Sequence, residues 1–284
     1  MAIFRTIKKD GVLNFYNIDG YETRNESTFK CIQEADKIYN WGDFEIQIHT
    51  GDGDESSKHE YCFSNYFFGK LVPDFNFDAW PQVGINDYTE TTQEIKKAGS
   101  LPPKILKVGW IGNTNTNPMR KKLLKYGQSN PQLFDIIDMA WSSSSGIKLN
   151  ATTFLSMPEL VEKYAFLIDV EGYGYSGRLK HLLWSRRPLL LVDRPHKEYF
   201  FEFLKEWEHY IPVKRDLSDL LLKIKWLLQN QEKAQIIANN ALEFSKIHLT
   251  REACYSKWND IIQPLQKLPD LQTEFPSECN PRER

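Results

Sequence analysis

The sequence predicts an α/β protein with two units, and three observations support this class. The chain has 284 residues, enough for one large domain or two smaller ones. After residue 104, apolar runs of strand length alternate with helical patterns, which is typical of a parallel sheet covered on both faces. The first hundred residues are less regular, and the Gly-Ser-Leu-Pro-Pro segment at 99–103 has the composition of a linker. We therefore expect two α/β units that face each other across a cleft.

In the N-terminal unit, the clearest predicted element is a strand at 44–48. Apolar residues alternate there with polar ones, which is the period of a half-buried strand. The strand ends at an acidic, glycine-rich turn, 50–54. Helices are predicted at 28–41 and 91–98, and the segment 60–90 is aromatic and loop-like.

The C-terminal unit has a more regular pattern. Pro118 suits the first turn of a helix, and Ser156 with Glu159 forms a capping-box signature. Strands are predicted at 105–111, 133–139, 165–170 and 189–192, with a short strand or turn at 210–213; helices are predicted from 118 to 126, from 156, from 176, at 197–207, from 216, at 231–247 and at 251–263.

Charge and composition argue against several function classes. The net charge of −2 and the lack of a basic stripe count against binding to nucleic acid. The four cysteines have no metal-site spacing, so reduced thiols are expected. No window has the roughly 18 apolar residues of a membrane span, and the first residues lack the apolar core of a signal peptide. We expect a cytoplasmic protein.

Polar chemistry gathers after the predicted strand at 165–170. A glycine-rich turn follows it, and glycines allow the backbone to approach a ligand closely. Ser176 is predicted to cap the next helix, and Arg178 adds a charged fork for phosphate oxygens. The turn suits a diphosphate. The alternative is an ordinary glycine turn in which Arg178 pairs with Asp169 or Glu171.

A second polar loop, Gly112-Asn113-Thr114, follows the strand at 105–111. With a helix beginning at Pro118, it forms another candidate anion site. Two such loops at neighbouring strand ends suit a nucleotide diphosphate. Taken alone, the loop also fits a structural asparagine-rich turn.

Asp52 follows the strand at 44–48 and is a candidate general base. Asp54 competes for that role, and a solvated acidic turn is the alternative. Asp52 and Asp54 could also hold a divalent cation, although Arg178 can neutralise a diphosphate without one. His181 and His209 are predicted to be structural.

Two motifs resemble glycosyltransferase family 90, the Rumi-type protein O-glucosyltransferases and capsule xylosyltransferases. One is the Gly-x5-Arg-x2-His pattern from Gly172 to His181. The other is WEHYIPVKRDLSDL, at 207–220. Weaker similarity covers 109–120, where the family has a Phe-Arg-Gly-Ser loop, and 43–52, where it has a strand that ends in Arg-Asp.

The resemblance implies a GT-B fold, in which two Rossmann-like domains face a cleft. It suggests an acceptor-side domain at 1–101, a UDP-sugar domain at 104–250, and a C-terminal helix and tail at 251–284 that packs back on the first domain. It implies an inverting, metal-independent transfer of glucose or xylose from UDP-glucose or UDP-xylose to a glycan or glycoprotein acceptor. Without a secretory signal, a bacterial or viral glycan is the expected acceptor.

The resemblance also assigns roles to residues. Asp52 matches the catalytic aspartate, but Gly51 replaces the preceding arginine. The donor loop lacks an arginine at 113–117, and Arg120 is expected to supply that phosphate contact. Donor binding is assigned to Gly112, Asn113, Thr114, Arg120, Gly172, Ser176, Gly177 and Arg178. Uridine contact is assigned to the segment from Thr153 to Met157, and within it to Phe154, Leu155 and Met157.

Two rival interpretations remain open. One is an NAD-dependent enzyme of the Rossmann type, although the chain lacks the GxGxxG fingerprint and its ribose-binding acid. The other is a relative that binds a sugar or nucleotide without catalysing transfer, because the Gly51-Asp52-Gly53 turn departs from the family pattern.

Overall fold

The computed structural model describes residues 2–16, 19–53, 60–65, 70–139 and 154–266. It contains two five-stranded sheets, one from each half of the chain. Helices cover them, and a cleft lies where they face each other. The α/β class and the two units that face a cleft, both predicted from the sequence, are confirmed.

The N-terminal sheet has the strand order β2-β1-β3-β4-β5 and is mixed. β1 runs antiparallel to β2 and β3, whereas β3, β4 and β5 are parallel. It therefore departs from the wholly parallel sheet that a Rossmann-like domain would have. The strands are β1 (Ile3–Lys9), β2 (Val12–Tyr16), β3 (Phe44–His49), β4 (Tyr61–Cys62) and β5 (Lys70–Leu71), with helices α1 (Glu22–Tyr39) and α2 (Tyr88–Gly99).

The hairpin of β1 and β2 was not predicted from the sequence, although a local signal is present. Asp10 and Gly11 join the strands, with φ values of 50° and 77°. A two-residue Asp-Gly loop with both φ values positive is the favoured connection of a β-hairpin. Helix α1 also begins six residues before the predicted start at 28, because its first turns are polar and lack an apolar stripe.

The C-terminal sheet is parallel throughout, with the order β10-β9-β8-β6-β7. The chain passes from β6 to β7 on one side and then returns to β8 on the other. The carboxyl ends of β6 and β8 therefore flank a topological switch point, where ligands of open α/β sheets bind. The strands are β6 (Ile105–Gly112), β7 (Phe134–Asp138), β8 (Tyr164–Asp169), β9 (Leu189–Val192) and β10 (Ile211–Val213).

Most predicted helices of this half are confirmed. The Ser156–Glu159 capping box is present in full at the start of α4. Residues 197–207 are not one helix: only a 3₁₀ turn, Tyr199–Phe203, forms, because Lys197 is extended and exchanges backbone hydrogen bonds with Asn65. The helices are α3 (Pro118–Ser129), α4 (Met157–Lys163), α5 (Leu179–Leu183), α6 (Leu220–Gln229), α7 (Gln231–His248) and α8 (Arg251–Ile262).

Helix α8 packs against the N-terminal half. The Trp41 indole N–H donates to Asn259 Oδ1 at 2.9 Å, and Arg251 Nη2 lies 2.7 Å from Asp87 Oδ2. Tyr88 donates its hydroxyl to the Leu249 carbonyl at 2.6 Å. These contacts join the two halves. In the described part of the chain, no helix has the length and apolarity needed to cross a membrane.

Candidate functional site

A cavity of about 620 Å³ lies between the two sheets, at the switch point of the C-terminal one. Residues from both halves line it. Of the twelve residues assigned above to catalysis, donor binding or uridine contact, only Thr114 does not line it. The other eleven are Asp52, Gly112, Asn113, Arg120, Phe154, Leu155, Met157, Gly172, Ser176, Gly177 and Arg178.

Arg178 is half-buried at the start of α5. Its Nη1 donates to the Ile111 carbonyl, and its guanidinium carbon lies 5.2 Å from the centre of the Trp110 ring. Its Nη2 has no hydrogen-bond partner among the described residues. Burial lowers the pKa of Arg178 below its usual value. The guanidinium thus keeps an unpaired donor beside the cavity.

The structure does not favour the alternative in which Arg178 pairs with a neighbouring acid. Asp169 is paired with Arg194 at 2.7 Å, and Glu171 with Arg215 at 3.2 Å. Both acids therefore have other cationic partners, which leaves Arg178 available for an anion from outside the chain.

Ser176 has a different local role from the one predicted. Its hydroxyl donates to Asp169 Oδ1 at 2.7 Å, and the capping position of α5 is Arg178. The helix has only five residues, so its amino terminus is not a strong anion site. The prediction failed because a serine cap and a serine bonded to a buried acid look alike in sequence.

The glycines of this turn permit close contact with the N-terminal half. A Cβ atom on Gly177 would lie 2.5 Å from Asn76 Nδ2, and one on Gly174 would lie 2.4 Å from the Gly53 nitrogen. At Gly174 the neighbouring atom is backbone, so no side chain fits there without a shift of the chain. The glycine-rich turn therefore meets the Asp52 turn almost backbone to backbone, which brings the two halves of the site together.

Arg120 is buried, and its contacts are internal. Its Nε donates to the Glu171 carbonyl at 2.8 Å, and its Nη1 donates to Thr116 Oγ1 at 2.9 Å. Other bonds reach the carbonyls of Asn113 and Val170. Burial, together with the nearby Arg178, lowers its pKa to about 9. Arg120 therefore fastens the end of β6 to the end of β8.

The loop after β6 is also internally bonded. The Thr114 amide donates to Asp138 Oδ1 at 2.9 Å, and Asn113 Oδ1 accepts from the Asn115 amide at 2.9 Å. Thr114 does not line the cavity. A Cβ on Gly112 would lie 2.9 Å from the Trp110 ring, so the residue at this position must be small.

Phe154, Leu155 and Met157 supply part of the apolar lining of the cavity. Met157 is the first residue of α4, and the capping box at Ser156 fixes the entry of the chain into that helix. Thr153, the first residue of the segment predicted to contact uridine, lies outside the described residues.

Asp52 is held in the cavity by an arginine that the sequence analysis missed. Arg24 Nη1 and Nη2 lie 3.0 Å from Asp52 Oδ1 and Oδ2 respectively. Burial alone would lower the pKa of Arg24, but Asp52 raises it above its usual value. Twenty-eight positions separate the two residues, and no local pattern links them. Asp54, the fallback base, lies outside the described residues.

Other cavity residues were also absent from the sequence-based site. Tyr21, Trp80 and Tyr173 add aromatic surface, and Asn76 adds a buried amide. Asn76 Nδ2 donates to Asp74 Oδ2 at 2.8 Å. Aromatic residues are common in this chain, so their presence in sequence did not distinguish the cavity wall from the core.

His181 and His209 do not line the cavity. His181 is fully buried, and burial lowers its pKa to about 3. His209 Nδ1 accepts the Lys205 amide at 3.1 Å. These contacts agree with structural roles. Within the described ranges no group of three or more metal-ligating side chains occurs, and a site that uses Asp54 falls outside them.

Comparisons with known proteins find a glycosyltransferase family and several of its named members. The sequence model of "Glycosyl transferase family 90" matches residues 51–281. Protein O-glucosyltransferase 1 of Homo sapiens is 30% identical over 75% of this chain and 55% of its own length. Protein O-glucosyltransferase 3 of Homo sapiens is 30% identical over 59% of this chain and 34% of its own. A protein of Invertebrate iridescent virus 3 is 32% identical over 51% of this chain and 14% of its own. The chain thus spans about half or less of these relatives.

Two solved structures resemble the chain more distantly. TarM has a TM-score of 0.41 at 16% identity, over 56% of this chain and 35% of TarM. HepE of Anabaena, crystallised with UDP-glucose, has a TM-score of 0.39 at 11% identity, over 66% of this chain and 46% of HepE.

The comparisons correct one prediction. A cytoplasmic location was predicted because the first residues lack a signal peptide. That prediction is wrong: the named relatives are Rumi-type protein O-glucosyltransferases, which act in the secretory pathway. The start of the sequence was therefore a poor guide to location.

Proposed function

Because the chain belongs to glycosyltransferase family 90, we propose that it transfers glucose from UDP-glucose to a hydroxyl group of a protein or glycan. UDP-xylose is the alternative donor, since xylose lacks only the hydroxymethyl group of glucose. The proposed reaction inverts the anomeric centre, forms a β-linkage and needs no metal ion. One observation carries the proposal: a cavity unites Arg178 from one half with Asp52 from the other.

Arg178 is the proposed contact of the diphosphate. Its unpaired Nη2 supports this role, because a guanidinium fork matches phosphate oxygens. Negative charge gathers on the UDP oxygen as the bond to the sugar breaks. A fixed cation beside that oxygen stabilises the transition state more than the ground state. With this charge supplied by the protein, we propose that transfer proceeds without a divalent cation.

Arg120 has a supporting role in this proposal. Its donors hold the ends of β6 and β8, on which Gly112 and Gly172 approach the cavity. Phe154, Leu155 and Met157 form the apolar wall proposed for the uracil ring.

Asp52 is the proposed general base. It takes the proton of the acceptor hydroxyl while that oxygen attacks the anomeric carbon from the face opposite UDP. The new C–O bond forms as the bond to the β-phosphate oxygen breaks, so the configuration inverts. A general base of this kind contributes about 10²–10⁴-fold to the rate.

The acceptor is proposed to carry its hydroxyl on a protein, in line with the relatives named as protein O-glucosyltransferases. A glycan hydroxyl is the alternative. Both kinds present the same nucleophile to Asp52.

A panel of UDP-sugars tests the function. We expect UDP release from UDP-glucose, or from UDP-xylose, and the same rate in EDTA. UDP binding without turnover of any donor would favour the second candidate, a sugar- or nucleotide-binding relative without transfer activity. The Gly51-Asp52-Gly53 turn, which lacks the arginine of the family pattern, is the observation behind that candidate.

Asp52→Asn tests the base. We expect kcat to fall at least about 100-fold while UDP binds as before, because the amide keeps the shape of the side chain but accepts no proton. Glu45→Gln is the matched control, since Glu45 lies on β3, the strand before the Asp52 turn, and pairs with an arginine outside the cavity. Full activity in Asp52→Asn would remove Asp52 from the mechanism.

A further inference from the structure

The backbone does not fix the direction of the Asp52 side chain. Glycines flank it on both sides, and Gly53 has a φ of +77°. Glycine populates many conformations at little cost, so a turn of this composition does not hold a side chain by itself. A general base must nevertheless be placed accurately, because a displacement of about 1 Å lowers the rate about 100-fold. Something outside the turn must therefore hold the carboxylate.

Arg24 provides that hold. Each of its two terminal nitrogens lies 3.0 Å from a different carboxylate oxygen of Asp52. This two-pronged geometry fixes both the position and the plane of the carboxylate. Each oxygen accepts one bond from Arg24 and keeps capacity to accept another. Asp52 remains 27% exposed, so an acceptor hydroxyl can still reach it.

Arg24 is itself anchored on three sides. It lies in the first turn of α1, and its guanidinium carbon lies 4.5 Å from the centre of the Tyr21 ring and 5.0 Å from that of Phe75. Its Nη1 also donates to the Thr50 carbonyl at 3.3 Å. The Thr50 hydroxyl in turn bonds to Asn25 on the same helix. Arg24 therefore belongs to a helix and not to the glycine turn that carries Asp52.

The competing role for Arg24 is direct contact with the donor phosphates. Its terminal nitrogens are engaged by Asp52 and by the Thr50 carbonyl. By contrast, Arg178 has an unpaired terminal nitrogen. The two arginines thus differ in their partners. Arg24 binds the Asp52 carboxylate, whereas Arg178 is available for an anion from outside the chain.

We propose that Arg24 is the positioning residue for Asp52, which it holds in the orientation that receives the proton of the acceptor hydroxyl. The proposal rests on the function proposed above. In the step itself, the proton passes to a carboxylate oxygen of Asp52 and the electron pair of the O–H bond forms the bond to the anomeric carbon. UDP leaves with the electrons of the broken C–O bond, and Arg24 keeps its protons throughout.

Arg24→Ala and Arg24→Lys test the role. We expect kcat for UDP-glucose turnover to fall about 100-fold in Arg24→Ala, with UDP affinity by calorimetry within about twofold of the wild type. Lysine lacks the planar fork, so Arg24→Lys should retain intermediate activity. Guanidinium chloride at low millimolar concentration should partly restore kcat in Arg24→Ala only. The control Arg5→Ala removes the arginine paired with Glu45 and should leave every value unchanged.

A double mutant separates this proposal from the proposed function. If Arg24 acts through Asp52, Arg24→Ala adds no further loss to Asp52→Asn. Additive losses, or a fall in UDP affinity with kcat, would overturn the positioning role and leave the transferase proposal standing. A normal kcat in Asp52→Asn would overturn the base assignment and the role of Arg24 together.

Discussion

At the scale of single residues, Arg120 and Arg178 lie beside the same tryptophan but differ in their hydrogen bonds. The guanidinium carbons of Arg120 and Arg178 lie 5.4 and 5.2 Å from the Trp110 ring centre. Arg120 bonds to four groups of the chain, whereas Arg178 keeps a terminal nitrogen without a partner. Residue type alone did not separate them. The hydrogen bonds separate them: the bonds of Arg120 hold the scaffold together, whereas Arg178 has a donor that is not used within the described chain.

Arg178→Lys tests the fork of Arg178. Lysine keeps the positive charge but cannot form two parallel bonds to a phosphate group. We expect the dissociation constant of UDP to rise about tenfold, which corresponds to about 1.4 kcal/mol. Calorimetry measures it directly. Arg215→Lys is the control, because Arg215 is exposed and pairs with Glu171 outside the cavity. Equal UDP affinity in Arg178→Lys and wild type would contradict the assignment.

At the scale of elements, two glycine turns decide how the halves of the site meet. The turn 51–53 follows β3, and the turn 172–174 follows β8. They touch through Gly53 and Gly174, and the Tyr173 ring lies over Gly53. The contact is possible only because neither backbone carries a Cβ there. The position of the Asp52 turn therefore depends partly on its contact with the turn 172–174, which lies about 120 residues later in the chain.

Gly174→Ala should separate these turns. The added methyl group would lie 2.4 Å from the Gly53 nitrogen, and backbone cannot yield as a flexible side chain does. We expect the free energy of unfolding to fall by about 1–3 kcal/mol. We also expect kcat to fall, because Asp52 moves with its turn. Thermal melts and steady-state kinetics measure the two effects. Gly42→Ala, where only the end of the Gln266 side chain is near, is the control and should match the wild type.

At the scale of the whole molecule, a buried charge cluster joins the halves behind the cavity. Lys180 of α5 lies 3.1 Å from Asp74 and 2.8 Å from Glu198. All three are buried. Burial raises the pKa of Glu198 to about 8, against the opposing effect of Lys180. One lysine thus faces two acids, and the raised pKa of Glu198 favours its protonated form in the folded protein.

The raised pKa of Glu198 predicts how the stability of the fold changes with pH. Between the ordinary glutamate pKa and about 8, the folded state holds a proton on Glu198 that the unfolded state lacks, so the free energy of unfolding falls as pH rises. Buried His181, whose pKa is lowered, acts in the opposite direction but only below about 6.5. Thermal melts from pH 6.5 to 8 should therefore show a falling melting temperature for the wild type. The groups around Glu198 are Asp74, Lys180 and Arg194.

Glu198→Gln is the matched variant for this experiment. The amide is neutral at every pH, so the decline in melting temperature between pH 6.5 and 8 should largely disappear. Glu208→Gln, which changes an exposed glutamate, should decline as the wild type does. A wild type and a Glu198→Gln variant with parallel curves would rule out Glu198 as the titrating group.

The sequence by itself determined the parts of this protein that depend on neighbours along the chain. Alternation at 44–48 predicted β3, and the Ser156–Glu159 signature predicted the start of α4. Parallel strands end at one edge of a sheet, so the loops after β6 and β8 were predicted to meet, and they do. These features follow from local hydrogen bonding and the period of burial, which a short stretch of sequence encodes.

Only the tertiary structure decided which side chains act on one another across the cavity. Ser176 bonds to a buried acid instead of capping α5, and Arg24 reaches Asp52 from another element. Arg120 is engaged by carbonyls that no pattern around residue 120 reveals. Hydrogen bonds of this kind depend on how close packed elements bring atoms that are distant in sequence. That distance is set by the glycine turns and the buried charges between the two sheets, so the chemistry of the cavity is a property of the assembled fold.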